Sequence, residues 1–368
     1  MNETILQFGA GNFLRAFADL FVEHVNRGSA PVGRIVVVQS TSAGHGDSLN
    51  ARGCRYQVAI RGFADGQVVD RLEPVASISR ALAASTAWPE VLVVATSPDL
   101  RIILSNTTEA GYALAAGERP RGSGTPESFP AKLADVLWTR WAAGCPGVAL
   151  LPCELHEQNA ARLRAVVEQQ ARAWGAPAEL LAWIETGCRW INTLVDRIVP
   201  GTPKDHPALA NDPLLISAEP FAFWALETAG EAPFTHPAIV TATDISPYYL
   251  RKVRILNGAH TALVAWAMPR GFTTVRSAVQ DPEVGAWLRR VLDEEIVPVL
   301  EGRVDDPEGF AWTTLERFMN PFLEHPLASI ALNHTSKVEV RLRPTLREYE
   351  AKFGRPAPLL SAALGCPL

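Results

Sequence analysis

The fold is decided by the first stretch of the chain, Thr4-Ile5-Leu6-Gln7-Phe8-Gly9-Ala10-Gly11-Asn12-Phe13-Leu14-Arg15. Its short apolar run leads into two closely spaced glycines, and a helical pattern then continues to about Arg27. Pro31-Val32-Gly33 turns the chain into the β-branched run from Ile35 to Val38. A strand, a glycine-rich turn, a helix and a second strand in this order make one βαβ unit. The segment therefore predicts the start of a parallel sheet.

The glycine pair also predicts a ligand. Gly9 and Gly11 occupy the first two glycine positions of a GxGxxG turn, whereas Leu14 occupies the third. The first glycine permits a tight turn, and the second lets the backbone approach a pyrophosphate at the helix N-terminus. Two glycines after a strand can also mark a turn without a ligand, but the strand–turn–helix context favours a dinucleotide. The residues predicted to bind it here are Gly9, Gly11, Asn12, Phe13 and Arg15.

The ends of the following strands indicate which dinucleotide binds and where. The second strand ends in Gln39, at the position where a carboxylate usually holds the adenosine ribose. No arginine follows promptly to bind a 2′-phosphate, so we predict NAD, with Gln39 as a weak ribose ligand and NADP as the alternative. Two further apolar runs, Leu100 to Leu104 and Val148 to Leu151, lead into polar segments, where an open parallel sheet binds its ligand. In the first of these segments we predict cofactor contacts at Ser105, Asn106, Thr107 and Glu109.

From about Asn159 onward the pattern is helical, and few strand signals follow. Ser246-Pro247 begins the strongest helix, because Ser is a good N-cap and Pro suits the first helical position. Pro269-Arg270-Gly271 ends this helix. We therefore predict an α/β fold with an N-terminal Rossmann-like domain and a parallel sheet over residues 1–200. A mostly α-helical substrate and catalytic domain is predicted over residues 201–368.

Composition narrows the class of protein. The 368 residues are 48% hydrophobic and 20% charged, which is an ordinary globular balance. The net charge of -5 provides no basic field for nucleic acid or an anionic membrane. Five scattered cysteines without a CxxC pair favour reduced thiols over disulfides or a zinc site, so no metal is predicted. Together with the lack of a signal-peptide pattern, this predicts a cytoplasmic protein that binds a small molecule.

Three polar residues interrupt the strongest predicted helix. On a regular α-helix at ~100° per residue, Asn257 lies roughly 140° and His260 roughly 80° from Lys252, so all three share one broad face. A lysine with a lowered pKa can act as acid and base, an Asn amide can donate to a developing oxyanion, and a histidine can orient a hydroxyl. The residue types therefore suit carbonyl reduction. The residues alone leave open a solvated helix face with a satisfied histidine.

Similar alternatives hold for three residues earlier in the chain. Asn159 begins a helix after a strand end, so it is either a site residue or a simple cap. Asp196 and Arg197 are adjacent and of opposite charge, so they are either site residues or a structural ion pair.

The spacing of Lys252, Asn257 and His260 resembles the K-x-x-x-x-N-x-x-H signature of the long-chain mannitol dehydrogenase family. More narrowly, the chain is similar to the tagaturonate reductase branch of that family, whose members are also called altronate oxidoreductases. Further segments resemble the family in the same order over nearly the whole chain. They are Ile5 to Phe17, Ser105 to Gly111, Pro152 to Leu155 with Asn159, Thr193 to Val199, Arg251 to Leu263, Arg317-Phe318 with Asn320 to Phe322, and Ser329 to Asn333 with Lys337 and Arg341.

The resemblance implies a metal-independent hydride transfer between NAD(H) and a carbonyl carbon of an open-chain sugar acid, with tagaturonate and altronate as the expected pair. It implies Lys252 as the acid and base, Asn257 with Asn159 as oxyanion donors, and His260 as the residue that positions the substrate. Asp196 and Arg197 are expected near the substrate. Our candidates for the substrate carboxylate are Lys337 and Arg341, because a uronate needs cations and arginine can bind it through two hydrogen bonds.

Several alternatives remain at this point. A mannitol or fructuronate dehydrogenase of the same family, or a non-catalytic dinucleotide-binding protein, would share most of these motifs. The chain departs from the family by Ala160, where Gly usually follows the Asn. Family members also usually continue with further helices beyond the region of Arg341, so we expect a shortened or compact second domain. The sequence does not decide between a monomer and a dimer.

Overall fold

A computed structural model describes residues 1–40 and 44–365, apart from the side chain of Glu109. The chain divides into two compact units. The first unit comprises Met1–Ala59, Leu72–Ala218 and Ala222–Thr243, and the second comprises Ile60–Arg71, Glu219–Phe221 and Asp244–Leu368. The first unit thus extends beyond residue 200, where the sequence predicted its end. The reason is that strands formed after residue 200 pair with strands formed before it.

The strands are short and mostly buried. In chain order they are β1 (Glu3–Phe8), β2 (Arg34–Gln39), β3 (Tyr56–Ala64), β4 (Gln67–Val75), β5 (Ile78–Ala83), β6 (Ile102–Ser105), β7 (Ala149–Pro152), β8 (Arg189–Trp190), β9 (Thr193–Asp196), β10 (Ile216–Ala218), β11 (Phe223–Glu227) and β12 (Ile239–Ala242).

The helices of the first unit flank these strands. They are α1 (Asn12–Arg15), α2 (Ala18–Asn26), α3 (Gly46–Ala51), α4 (Ala84–Ala95), α5 (Phe129–Ala142), α6 (Asn159–Ala173) and α7 (Ala178–Ala182). Within Phe13 to Arg27 the sequence predicted one helix, but a break at Ala16 and Phe17 separates α1 from α2.

The main sheet of the first unit is parallel, as the opening βαβ pattern predicted. Within the described residues it has six strands in the order β5-β2-β1-β6-β7-β8, and all neighbouring pairs run parallel. Because the chain proceeds outward from β1 to β2 and β5 and then returns to place β6 on the other side of β1, the topological switch point lies between β1 and β6. In open α/β sheets the ligand binds outside the carboxyl ends of the strands at this point.

The expectation of few strands after Asn159 is wrong. Five strands, β8 to β12, form between Arg189 and Ala242, and β9, β11 and β12 make a small sheet of their own. These strands are only two to five residues long. Segments of this length show too little alternation to be separated from loops by periodicity.

The second unit is mainly helical. Its helices are α8 (Ser246–Arg251), α9 (Asn257–Ala267), α10 (Val275–Gln280), α11 (Pro282–Arg290), α12 (Val297–Leu300), α13 (Pro307–Phe318), α14 (Leu327–Ala331), α15 (His334–Arg341), α16 (Arg343–Phe353) and α17 (Pro358–Leu364). They enclose a core of their own that contains the fully buried Leu263, Leu288 and Ile296. A π-helical turn at Lys252–Leu256 divides the segment after Ser246-Pro247 that the sequence predicted as one continuous helix, and a second π-helical turn at Val291–Ile296 lies between α11 and α12.

Among the helices of both units, over the described part of the chain, none is long and apolar enough to cross a membrane. Within the same residues, His, Cys, Asp and Glu side chains do not come together in groups of three or more that could hold a metal ion.

Candidate active site

The glycine-rich turn joins β1 to α1 at the switch point of the sheet. Gly9 has a φ of +123°, and a Cβ on it would stand 3.1 Å from the carbonyl oxygen of Asn106. Gly11 has an ordinary φ of -73°, and a Cβ on it would meet nothing within 4 Å. The fold therefore requires glycine at position 9, whereas the space beside Gly11 is open toward a ligand. This is the arrangement that a pyrophosphate at a helix N-terminus needs.

A cavity of about 790 Å³ opens at this turn. Six of the predicted cofactor residues line it, and they come from three strand ends as the sheet topology requires. They are Gly9, Gly11, Asn12, Gln39, Asn106 and Thr107. The sequence analysis missed three charged or titratable residues that line the cavity and lie far along the chain from the turn: His45, Glu127 and Lys132. Their positions depend on how α3 and α5 pack, which no local motif reveals.

Arg15 and Phe13 do not line this cavity, which corrects the prediction that they bind the cofactor. The Arg15 side chain is 1% exposed and donates hydrogen bonds to the carbonyl of Leu214 (2.8 Å) and to the side chain of Asn12 (3.0 Å). The ring of Phe13 stacks on that of Phe17, with 4.8 Å between centroids. Both side chains therefore support α1 from within the first unit. The side chain of Glu109, another predicted cofactor contact, lies outside the described residues.

Glu154 organises the loop that follows β6. Its buried carboxylate accepts hydrogen bonds from the hydroxyls of Ser105 (3.0 Å) and Tyr112 (3.1 Å), and from the backbone N–H (2.9 Å) and hydroxyl (3.2 Å) of Thr107. Burial raises the pKa of this carboxyl, while the hydrogen bonds act in the opposite direction. Ser105 is consequently a buried partner of Glu154, whereas Asn106 and Thr107 face the cavity.

Asn159 is fully buried and its side-chain amide is already engaged. Its Nδ2 donates to the carbonyls of Pro152 (2.9 Å), Glu154 (3.1 Å) and Thr193 (3.1 Å). Its Oδ1 accepts from the backbone N–H groups of Thr193 and Ala160, both at 2.9 Å. The amide thereby ties the end of β7 and the start of α6 to β9. An oxyanion could receive an N–H from Asn159 only if one of these bonds opened.

Asp196 is the last residue of β9 in the first unit, and Arg197 follows it. Asp196 is buried and stands opposite Phe223 in the antiparallel pair of β9 and β11. Arg197 donates a hydrogen bond of 2.9 Å to the carbonyl of Ala16, in the break between α1 and α2. The two residues are thus tied into the sheet and the helix break of the first unit.

In the second unit, Lys252 and Asn257 lie at the two ends of a π-helical turn. The backbone N–H of Asn257 donates to the carbonyl of Lys252, which is the i→i+5 bond of a π-helix. Such a turn advances each residue by less than the ~100° of an α-helix. Residues five positions apart therefore lie closer together around the helix axis than the roughly 140° that a regular helix predicts. The α-helical wheel used in the sequence analysis does not hold over this turn, because the helix is not regular.

The middle of this π turn is held by an ion pair. Arg254 is buried and donates to the hydroxyl of Thr345 and to the carboxylate of Glu348, both at 2.6 Å. Glu348 also accepts a hydrogen bond of 2.8 Å from Arg303. A single π turn within an α-helix is rare and is frequently found at functional sites. The hydrogen bonds from Arg254 to Thr345 and Glu348 tie this turn to α16.

His260 completes the predicted trio one α-helical turn after Asn257. Its ring is 8% exposed and packs on Phe318, with 4.1 Å between ring centroids. The ring of His325 approaches it edge-on at 5.2 Å, and burial lowers the pKa of His325. The orientation of His260 is therefore set by two rings from other segments of the second unit.

The predicted carboxylate ligands lie on α15, which packs against α9. Arg341 donates to the hydroxyl of Thr261 (3.3 Å), the residue next to His260. Lys337 donates to the carbonyl of Ile330 at 2.7 Å. Burial lowers the pKa of both groups, and the neighbouring Arg341 lowers that of Lys337 further. Two cations thus stand beside the helix that carries Lys252, Asn257 and His260.

Comparison with known proteins assigns the family. The sequence matches the mannitol dehydrogenase Rossmann domain over residues 3–237 and the mannitol dehydrogenase C-terminal domain over residues 244–365. The chain belongs to the mannitol dehydrogenase family, and it is therefore a dinucleotide-dependent oxidoreductase that acts on CH–OH groups. This confirms the predicted family and fold class.

Individual relatives agree with this assignment. The chain is 39% identical to the altronate oxidoreductase of Halalkalibacterium halodurans, over 96% of this chain and 72% of the relative. It is 38% identical to that of Bacillus subtilis, over 96% and 76% respectively. Among solved structures, a D-sorbitol dehydrogenase superposes with a TM-score of 0.85 at 24% identity, over 99% of this chain and 79% of the other. The Pseudomonas fluorescens mannitol 2-dehydrogenase in ternary complex with NAD and D-mannitol has a TM-score of 0.77 at 25% identity, over 98% and 77%.

Proposed function

We propose that this chain reduces a keto sugar acid with NADH, converting tagaturonate to altronate reversibly. The observation that carries the proposal is the cationic pair Lys337 and Arg341 beside the helix of Lys252, Asn257 and His260. A neutral polyol offers such a pair only hydroxyl acceptors, whereas a uronate supplies a carboxylate that forms stronger, charge-assisted hydrogen bonds. Relatives 36–39% identical to this chain are altronate oxidoreductases, which supports the same substrate class.

The residues around the cavity of the first unit suit a bound NAD(H). The open space beside Gly11 and the polar side chains of Asn12, Asn106 and Thr107 would hold its phosphates and ribose groups. When bound, the nicotinamide supplies the hydride to the carbonyl carbon of the sugar. The preference for NAD is supported by Gln39 at the end of β2, where no arginine follows to take a 2′-phosphate.

In the proposed reaction, Asn257 donates its side-chain N–H to the carbonyl oxygen as negative charge develops there. The ammonium group of Lys252 then transfers a proton to that oxygen, which becomes the new hydroxyl, and the lysine is left neutral. His260 hydrogen-bonds to a neighbouring substrate hydroxyl and so orients the carbon that receives the hydride. The family resemblance adds Asn159 as a second oxyanion donor and Asp196 and Arg197 as residues near the substrate, and these roles are part of the proposal. Oxidation of altronate is the same sequence in reverse, with neutral Lys252 as the base.

A substrate panel tests this proposal. NADH and NADPH oxidation would be followed with tagaturonate, fructuronate and fructose at equal concentrations. We expect tagaturonate with NADH to give the highest kcat/KM. A preference for fructose or fructuronate would assign the chain to another activity of the same family. Binding of NADH without turnover of any of the three would indicate a non-catalytic dinucleotide-binding protein.

A further inference from the structure

Helix α15 carries three basic side chains along one face. His334, Lys337 and Arg341 occupy positions i, i+3 and i+7, which lie on one side of an α-helix. Glu339 lies on the opposite side, where it pairs with Arg343 at 2.6 Å. The acidic residue of this helix therefore does not offset the charge of the basic face.

The neighbouring helices leave this face cationic. Helix α9 presents the neutral hydroxyl of Thr261 to Arg341, with His260 next along the chain. On α16, Glu348 is held by Arg254 (2.6 Å) and Arg303 (2.8 Å).

The imidazole of His334 has an unused hydrogen-bonding atom. Its Nδ1 is buried and has no hydrogen-bond partner within the described residues. Burial, and then the positive charges of Lys337 and Arg341, lower the pKa of His334. These effects favour the neutral ring when no anion is present. An anion placed among the three side chains would offset both positive charges and favour the protonated ring, in which both nitrogens donate.

We propose that His334 joins Lys337 and Arg341 in a three-residue subsite for the carboxylate of the substrate, and that it strengthens the selection of sugar acids over neutral polyols. This inference rests on the proposed function, because it concerns the same substrate. A carboxylate offers about four lone-pair positions, so it can accept hydrogen bonds from more than two side chains at once. His334 lies on the same helix face as Lys337 and Arg341 and can be a third donor to it.

The test compares two ligands of the same skeleton, altronate and its neutral counterpart altritol. Calorimetric titration of the full chain saturated with NAD⁺, at pH 5.5 and pH 8, gives the ratio of their affinities without turnover. In the unaltered protein we expect this ratio to be higher at pH 5.5, because His334 is more protonated there. His334→Gln should lower the ratio about tenfold at pH 5.5 and leave it nearly independent of pH. Ser336→Ala, an exposed change on the other side of α15, is the matched control and should behave as the unaltered protein.

Two results would overturn the inference. One is an affinity ratio in the unaltered protein that does not change with pH. This measurement needs no variant, so it does not depend on whether a variant folds. The other is an equal loss of affinity for altronate and altritol in His334→Gln, which indicates a structural role only. Failure of the proposed function gives a different result, since tagaturonate would then not be reduced even though the altronate-to-altritol ratio still responds to position 334.

Discussion

Replacing Asn159 by alanine distinguishes a structural amide from an oxyanion donor. Loss of a structural amide lowers the free energy of unfolding, whereas loss of an oxyanion donor lowers kcat. In the variant, the N–H of Ala160 keeps a second acceptor, Oδ1 of Asn192 at 3.0 Å, and the carbonyl of Pro152 keeps the hydroxyl of Thr193. The N–H of Thr193 and the carbonyls of Glu154 and Thr193 lose the partner that Asn159 supplies. A buried donor left without its partner costs ~1–3 kcal/mol and each lost acceptor bond ~1 kcal/mol, so the free energy of unfolding should fall by about 4 kcal/mol.

The assay is urea unfolding of the ligand-free chain, together with kcat measured per folded molecule. A structural amide predicts the loss of stability and a kcat within about tenfold of the unaltered protein. An oxyanion donor predicts a loss in kcat of about 10²–10³. Glu157→Ala, an exposed change two residues earlier, should alter stability by less than about 0.5 kcal/mol. A stability change below about 1 kcal/mol with a hundredfold loss of kcat would refute our reasoning about the amide.

Three further predictions follow from the two units. Lys252→Ala should abolish turnover and leave the NADH affinity, measured by fluorescence titration, nearly unchanged. The exposed control Lys352→Ala should keep the turnover and the NADH affinity of the unaltered protein. Wild-type-like turnover of Lys252→Ala would remove the lysine from the mechanism. Gly9→Ala should lower both the melting temperature and the NADH affinity, because φ at position 9 is +123° and the new Cβ would press on Asn106. Gly11→Ala should keep the melting temperature and lower only the NADH affinity, because its Cβ would point into the space left for the cofactor. Burial, and then His24, lower the pKa of His236 from 6.5 to about 4. Because the unfolded chain binds the extra proton between these values, this contribution is complete above pH 6.5 and is lost as pH falls toward 4. Because the His236 ring is only partly buried, solvent screening reduces the size of this contribution. His236→Asn should flatten the dependence of urea midpoint on pH in this window, and an unchanged slope would contradict the assignment.

The cofactor cavity could be predicted from sequence because its determinants are local. A strand end, a glycine with positive φ and the following helix start lie within ten residues, and the polar residues Asn106 and Thr107 follow another strand end directly. The direction of a side chain within that turn could not be predicted in the same way. Arg15 turns inward because the carbonyl of Leu214, nearly two hundred residues away, accepts its hydrogen bond. Contacts at such separations leave no periodic signal in the sequence.

The sequence was also limited in what it could predict about the positions of the candidate catalytic residues. Residue type and family resemblance nominate them, and their roles stay predictions. Their angular positions could not be predicted, since an α-helical wheel assumes a constant turn per residue. The π turn over Lys252–Leu256 breaks that assumption. The hydrogen bonds that hold it come from Thr345 and Glu348, about ninety residues further along the chain.

The spacing of five residues between Lys252 and Asn257 is therefore best understood as the repeat of a π turn. In a regular α-helix the two side chains would lie roughly 140° apart around the axis, at the edges of one broad face. With the N–H of Asn257 bonded to the carbonyl of Lys252, the π turn brings the two positions closer together around the axis. Arg254, within the same turn, ties it to α16 through Thr345 and Glu348. The chemistry proposed for this helix thus uses a backbone irregularity that contacts far along the chain help to anchor.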